Sequence, residues 1–105
     1  MSVLSDSVKL PCGLVFPNRL SKAAMAENMA KTNSPNEDFN EAYNKWSAGG
    51  WGMIMTGNVQ VDIDHLGNFM DPAFQGENAT SKEIHMESWK KYAAASQKHG
   101  SPTIV

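Results

Sequence analysis

The sequence is short of the features that mark several functional classes. It holds one cysteine, Cys12, among 105 residues. A lone thiol forms no internal disulfide and supports no zinc-type cluster, which suits a reducing compartment. Excess positive charge is also missing: nine basic residues stand against eleven acidic ones, a formal charge of −2, so there is no basic field for gripping nucleic acid. No apolar run approaches the roughly 20 residues that span a bilayer. The start, Met1-Ser2-Val3-Leu4-Ser5-Asp6, has neither the basic flank nor the apolar stretch of a secretory signal. Gly-x-Ser-x-Gly and Walker sequences are absent, as are repeats and low-complexity tracts. These exclusions lead to the expectation of a soluble, cytoplasmic chain with no nucleic-acid or membrane partner.

What is present reads as alternating strands and helices. Val8-Lys9-Leu10 and Leu14-Val15-Phe16 flank Pro11-Cys12-Gly13, residues suited to a tight reversal, so a hairpin is expected. Leu20–Met25 is read as a strand, although its alanines equally suit a helix. Ser34, Pro35 and Glu37 match a capping box with proline at the first helical position. Asp38 adds negative charge to the first turn. Phe39, Ala42, Tyr43 and Trp46 fall at i, i+3, i+4 and i+7, one apolar stripe whose role is helix packing. Gly49-Gly50 stops the helix where a left-handed residue is wanted.

Trp51–Val59 is a short apolar run bounded by glycines, the pattern of a buried parallel strand. A polar stretch from Gln60 to about Thr80 follows, longer than ordinary connections. Ser81 is placed to cap a second helix with a stripe of Trp89, Tyr92, Ala93 and Ser96, and Glu87 precedes Lys91 by four. Gly100 and Pro102 end it, and Thr103-Ile104-Val105 opens another strand.

Strand, helix, strand, helix, strand is the order of parallel crossovers. Right-handed crossovers put both helices on one face of the sheet and leave the other bare. Each large apolar side chain left wet there forgoes about 1.5–3 kcal/mol. The expectation is therefore an incomplete domain. The fold expected over residues 1–105 is α/β: the amino-terminal portion of a (β/α)₈ TIM barrel, with the hairpin, three strands and two helices, whose bare face is the barrel interior. A doubly wound sheet would place a Gly-rich turn after the first strand, and Met25-Ala26-Glu27-Asn28 has no glycine.

Several stretches, in order and at matching spacing, carry a resemblance. They are Leu14–Leu20, Ala23-Ala24-Met25-Ala26-Glu27-Asn28, Trp46–Val61 and Gly100–Val105. Together they resemble the amino-terminal part of the old yellow enzyme family, FMN-dependent oxidoreductases that use NADH or NADPH on a (β/α)₈ barrel. The resemblance implies that the hairpin caps the barrel bottom. It further implies that Ala23, Ala24, Met25 and Ala26, at the end of the first strand, and Gly57, at the end of the second, lie against FMN. Small side chains let a flat ring approach, and Met supplies a polarizable surface. Family members often carry proline at the position of Ala24, and threonine or cysteine at that of Ala26, which implies a flavin of altered potential here.

The family's pyrimidine-binding glutamine, its carbonyl-holding His/Asn pair, its proton-donating tyrosine and its phosphate-binding arginine fall beyond Val105. No catalytic residue is therefore assigned within this chain. The function implied is part of an ene-reductase or NADH oxidase acting on activated alkenes. The 105 residues alone are expected to be inactive, with the uncovered sheet face available as a surface for oligomerisation. The alternatives are a truncated, non-catalytic fragment and a small binding module without flavin.

Other candidates read more plainly as structure. Asp62-Ile63-Asp64-His65-Leu66-Gly67 matches a calcium loop at three positions, but Leu66 and Ala73 occupy ligand sites. His65, His85 and His99 fit no metal spacing. Cys12 has no nearby base in sequence, and Met53 and Met55 are core filler.

Overall fold

The computed structural model describes residues 3–76 and 82–105. After a short 3₁₀ turn at Val3–Ser5 come β1 (Val8–Lys9) and β2 (Val15–Phe16), an antiparallel pair with Val8 opposite Phe16 and Lys9 opposite Val15. The Gly13 N–H closes the intervening turn onto the Leu10 carbonyl at 2.9 Å. The expected hairpin is there. It forms its own two-stranded sheet, separate from the rest.

The second sheet is parallel, in the order β3 (Ser21–Lys22), β4 (Met53–Met55), β5 (Thr103–Ile104). Ser21 pairs with Met53, Lys22 with Ile54, Ile54 with Thr103, and Met55 with Ile104. Residues paired across parallel strands share a face, and faces alternate along each strand. One face therefore carries Lys22, Ile54 and Thr103; the other carries Ser21, Met53, Met55 and Ile104. β3 is shorter than the Leu20–Met25 strand expected, because Ala23–Ala26 continue past the paired region.

The helices α1 (Glu37–Ser47) and α2 (Lys82–Gln97) cover the first face. From α1, Phe39 and Tyr43 are fully buried, and Tyr92 of α2 nearly so. Tyr92 meets both rings edge-on, at 5.6 Å and 4.7 Å between centroids, the favoured arrangement for aromatic pairs. The Ser47 hydroxyl donates to Ala95 carbonyl at 3.0 Å and ties the helices directly. Within the second expected stripe Ala93 points to solvent; Ala95 packs on the core instead. The Ser81 cap lies outside the described residues.

The start of α1 departs from the capping box. Asn36, not Ser34, is the N-cap: its side chain accepts the Phe39 N–H at 3.2 Å while its amide donates to Met29 carbonyl at 2.7 Å. Asn36 therefore caps the helix and anchors the incoming chain with one side chain. Pro35 consequently stands before the cap instead of at the first helical position. At the other end the cap is Ala48, followed by Gly50 at φ +78°, a conformation glycine adopts without a Cβ penalty.

Among the described residues, none forms a layer over the opposite sheet face. Met55 is 36% and Ile104 40% exposed, against 0% for Ile54. The chain exposes 6808 Å², where a closed monomer of its mass exposes about 5,800 Å². Its radius of gyration is 15.0 Å, against about 13 Å for a compact domain of this length.

Candidate functional site

The carboxyl ends of β3 and β4 meet at one edge of the open face. Beyond β3, Ala23, Ala24, Met25 and Ala26 run without secondary structure, and all four side chains are exposed, Met25 to 64%. Beyond β4 comes buried Thr56 and then half-buried Gly57. The structure therefore brings together the five positions singled out in the sequence, as a low apolar shelf with Gly57 beside it.

Beneath the shelf lies a polar assembly that the sequence patterns do not reveal. Lys22 is only 8% exposed on the helix-facing side. Its ammonium donates to the Ala23 carbonyl at 2.9 Å and the Met55 carbonyl at 3.1 Å, bridging the ends of β3 and β4. It also lies 4.6 Å from the Trp46 ring centroid and 5.6 Å from that of Tyr43, so aromatic faces replace part of its lost hydration. Burial lowers its pKa, and the nearby Glu27 carboxylate partly opposes that shift.

Glu27 completes the bridge. Its Oε1 accepts the Gly57 N–H at 2.9 Å and the Tyr43 hydroxyl. The Tyr43 oxygen also lies 3.2 Å from the same N–H. Burial, followed by the hydrogen bond to Glu27, raises the Tyr43 pKa well above its ordinary value; burial likewise raises that of Tyr92. Tyr43 is therefore a fixed donor at any ordinary pH. The second carboxylate oxygen, Oε2, is buried without a hydrogen-bond partner. Tyr43 belongs to the packing stripe, as expected, yet its hydroxyl reaches the strand ends. A lysine inside a short strand and a tyrosine within an apolar stripe were the available signals.

The long connection after β4 closes over the same end. Gln60 and Ala73 form a parallel bridge, and the Gln60 amide donates to fully buried Asp71 at 2.8 Å. The Asn33 amide donates to the Phe69 and Asp71 carbonyls at 3.0 Å and 2.8 Å, and Ala30 N–H to the Met70 carbonyl at 3.0 Å. The segment is thus pinned to the chain that leaves the shelf. It presents Phe69 and Val61 outward, 82% and 88% exposed.

Other candidates fall away on geometry. Asp62 accepts the Asp64 N–H at 3.0 Å and meets the His65 ring at 2.7 Å, a solvated turn in which its carboxylate is already engaged. Among the described residues no three His, Cys, Asp or Glu side chains converge as metal ligands. Ser34 Oγ lies 2.7 Å from His85 Nδ1 and Trp89 Nε1 lies 3.0 Å from His85 Nε2. The indole N–H only donates, so Nε2 accepts and Nδ1 carries the proton toward Ser34. The pair therefore lacks the free base that would activate a serine. Cys12 is exposed at the hairpin turn. No described helix is long and apolar enough to cross a membrane.

A parallel sheet with both helices on one side and a shelf at its carboxyl end is the opening of a (β/α)₈ barrel, and the fold comparisons specify which kind. The chain superposes on morphinone reductase with TM-score 0.78 at 17% identity, over 95% of this chain and 24% of that one. For the old yellow enzyme homologue from Zymomonas mobilis the values are 0.78, 18%, 98% and 27%. For the old yellow enzyme of Trypanosoma cruzi they are 0.76, 20%, 97% and 26%. The fold is part of an old yellow enzyme barrel.

Sequence similarity then points to particular relatives. The chain is 46% identical over 103 residues to the NADH-dependent flavin oxidoreductase iccE of Talaromyces variabilis, covering 97% of this chain and 24% of that protein. It is 43% identical over 99 residues to iliE of Neonectria, of the same description, covering 93% and 13%. It is 31% identical over 93 residues to nadA of Aspergillus parasiticus, covering 81% and 21%. The chain thus spans about a quarter of the first of these relatives. No family model matches it.

Proposed function

We propose that this chain forms the flavin-facing opening of an FMN-dependent NAD(P)H oxidoreductase that reduces activated alkenes. The observation that carries the reading is the shelf. Ala23–Ala26 are exposed beside Gly57 at the carboxyl edge of an uncovered parallel sheet, the edge at which barrels of this kind hold their ligands. The similarity to NADH-dependent flavin oxidoreductases supports the cofactor class.

The residues fit such a group. Three alanines admit a flat ring to the backbone, Met25 offers a polarizable contact, and no charged side chain stands among the four. When bound, the flavin supplies two-electron transfer between the nicotinamide and the alkene. The chain's own part is to seat and orient. Lys22 and Glu27 hold the two strand ends at fixed separation from behind. Both tyrosines of the chain, Tyr43 and Tyr92, are buried on the helix side, so neither is placed to protonate a substrate on the open face. The segment from Gln60 to Gln75, pinned over the same edge with Phe69 outward, borders the route by which a small apolar substrate arrives.

The test is direct. The full-length protein containing this segment is purified, its chromophore released and identified by mass, and NADH oxidation followed with 2-cyclohexen-1-one. Bound FMN and alkene-dependent oxidation are expected. A colourless protein that fails to take up added FMN contradicts the reading.

A further inference from the structure

Gly57 is a glycine for a reason that lies behind the shelf. A Cβ built there would collide with the buried oxygen of the Glu27 carboxylate and with the Met25 carbonyl. Its N–H is directed onto Glu27 Oε1. The missing side chain thus makes room for Glu27 to press against the backbone.

We propose that Glu27, braced by Tyr43, is a positioning residue that locks the Gly57 amide and with it the end of β4 against the Ala23–Ala26 segment, setting the depth and tilt of the flavin seat. The proposal rests on the flavin reading above and adds a residue to it. Three observations carry it. Glu27 directly follows the Ala23–Ala26 segment, yet its hydrogen bond runs to Gly57, thirty positions along the chain. The acceptor is shared with Tyr43, which α1 holds in the core among Phe39 and Tyr92. Lys22 makes a parallel bridge one step back, between Ala23 and Met55, so two side chains of opposite charge fix the same gap.

A carboxylate that accepts two donors at one oxygen holds them more strongly than a neutral acceptor does. Ionised Glu27 cannot donate, and Tyr43 does not lose its proton in the working range, so the direction of each bond is fixed. A glutamine can still accept at its carbonyl oxygen, more weakly; an alanine cannot accept at all.

The experiment measures hydrogen exchange at the Gly57 amide, together with the visible circular dichroism of bound FMN, in the full-length protein. In Glu27→Ala the Gly57 amide is expected to exchange about tenfold faster or more, the loss of one hydrogen bond to a charged group. The flavin bands should change shape, and Glu27→Gln should recover most of both signals. Unchanged exchange and unchanged bands in Glu27→Ala overturn the proposal. So does uniform acceleration across the sheet with unchanged bands, the signature of a purely stabilising role.

If Glu27→Ala does not fold, Tyr43→Phe decides. It removes the brace and keeps the carboxylate, and a Gly57 amide as well protected as in the parent, with the same flavin bands, overturns the proposal. If the parent protein takes up no FMN, the functional reading fails by itself. Exchange at Gly57 in the two variants then still decides whether Glu27 locks that amide.

Discussion

The two faces of one three-stranded sheet are built on different terms. Lys22, Ile54 and Thr103 face a finished interior, where Phe39, Tyr43 and Tyr92 interlock and the Lys22 ammonium lies against two carbonyls and two aromatic rings. Ser21, Met53, Met55 and Ile104 face a side that no described element covers. Backbone geometry is the same for both, since each strand contributes to each face. The covered face specifies where the strands end and how far apart; the open face presents the result. Rigidity and exposure are thus separated by the thickness of a single sheet, which is what a cofactor seat requires.

That contrast can be broken most forcefully in the covered layer. Ile54→Ala removes a fully buried side chain and is expected to cost about 2–5 kcal/mol of stability. Met55→Ala, one residue along on the open face, is expected to cost well under half as much in the isolated 105-residue chain. Denaturant titration of both variants checks this, and equal losses would abolish the distinction between faces. Next in size, Tyr43→Phe leaves the Glu27 carboxylate and the Gly57 amide without their shared partner while keeping the ring. A loss of about 1.5–3 kcal/mol is expected from the same titration, the worth of a hydrogen bond to a charged group.

A smaller effect comes from pH. Burial lowers the His85 pKa below its ordinary value of about 6.5, and Trp89 needs the neutral ring as acceptor. Between the folded and unfolded pKa values the unfolded chain binds more protons, so stability falls as pH drops through about 6.5 and levels off below the folded value. His65 runs the other way: its pKa is raised by Asp62, so its contribution is complete below about 6.5 and is lost as pH rises through the raised value. Because His65 and Asp62 sit in open solvent, that term is screened and His85 sets the sign. Melting temperature against pH should therefore fall on acidification in the parent and fall less in His85→Gln.

The smallest prediction concerns the shelf. Ala26→Thr adds one hydroxyl beside the proposed flavin position, and a neutral hydrogen bond is worth about 0.5–1.5 kcal/mol, or roughly 10–30 mV for a two-electron couple. Spectroelectrochemistry of the full-length protein should register a shift of that order, and an unchanged potential would place Ala26 away from the ring.

Much of the scaffold was legible because local chemistry and tertiary role agree. Pro11-Cys12-Gly13 makes the turn its composition suits, and the Phe39–Tyr43–Trp46 spacing puts one side of α1 on the sheet. The parallel order follows from alternating elements. Reading failed where two residues were locally equivalent, as with Ser34 and Asn36. Both are good caps, and the choice turned on the Met29 carbonyl, seven positions upstream, which only the fold delivers to the Asn36 amide. Released from capping, Ser34 pairs with His85 across the helix interface. The five shelf positions were legible by resemblance alone, since short alanine-rich stretches have many uses. The support beneath them was not legible, because Lys22, Glu27, Tyr43 and Gly57 are separated in sequence and meet only when α1 folds back over β3 and β4.

The claim at the centre is that the Ala23–Ala26 shelf carries the flavin, and Met25 is its reporter. It is 64% exposed, and Met86, 54% exposed on α2, is a control far from the shelf in sequence and on the helix layer. Peroxide oxidation of both methionines is to be followed by peptide mass spectrometry in the full-length protein, with and without bound FMN. The account predicts several-fold slower oxidation of Met25 in the loaded protein and an unchanged rate at Met86. Equal rates at Met25 in the loaded and stripped forms would contradict it.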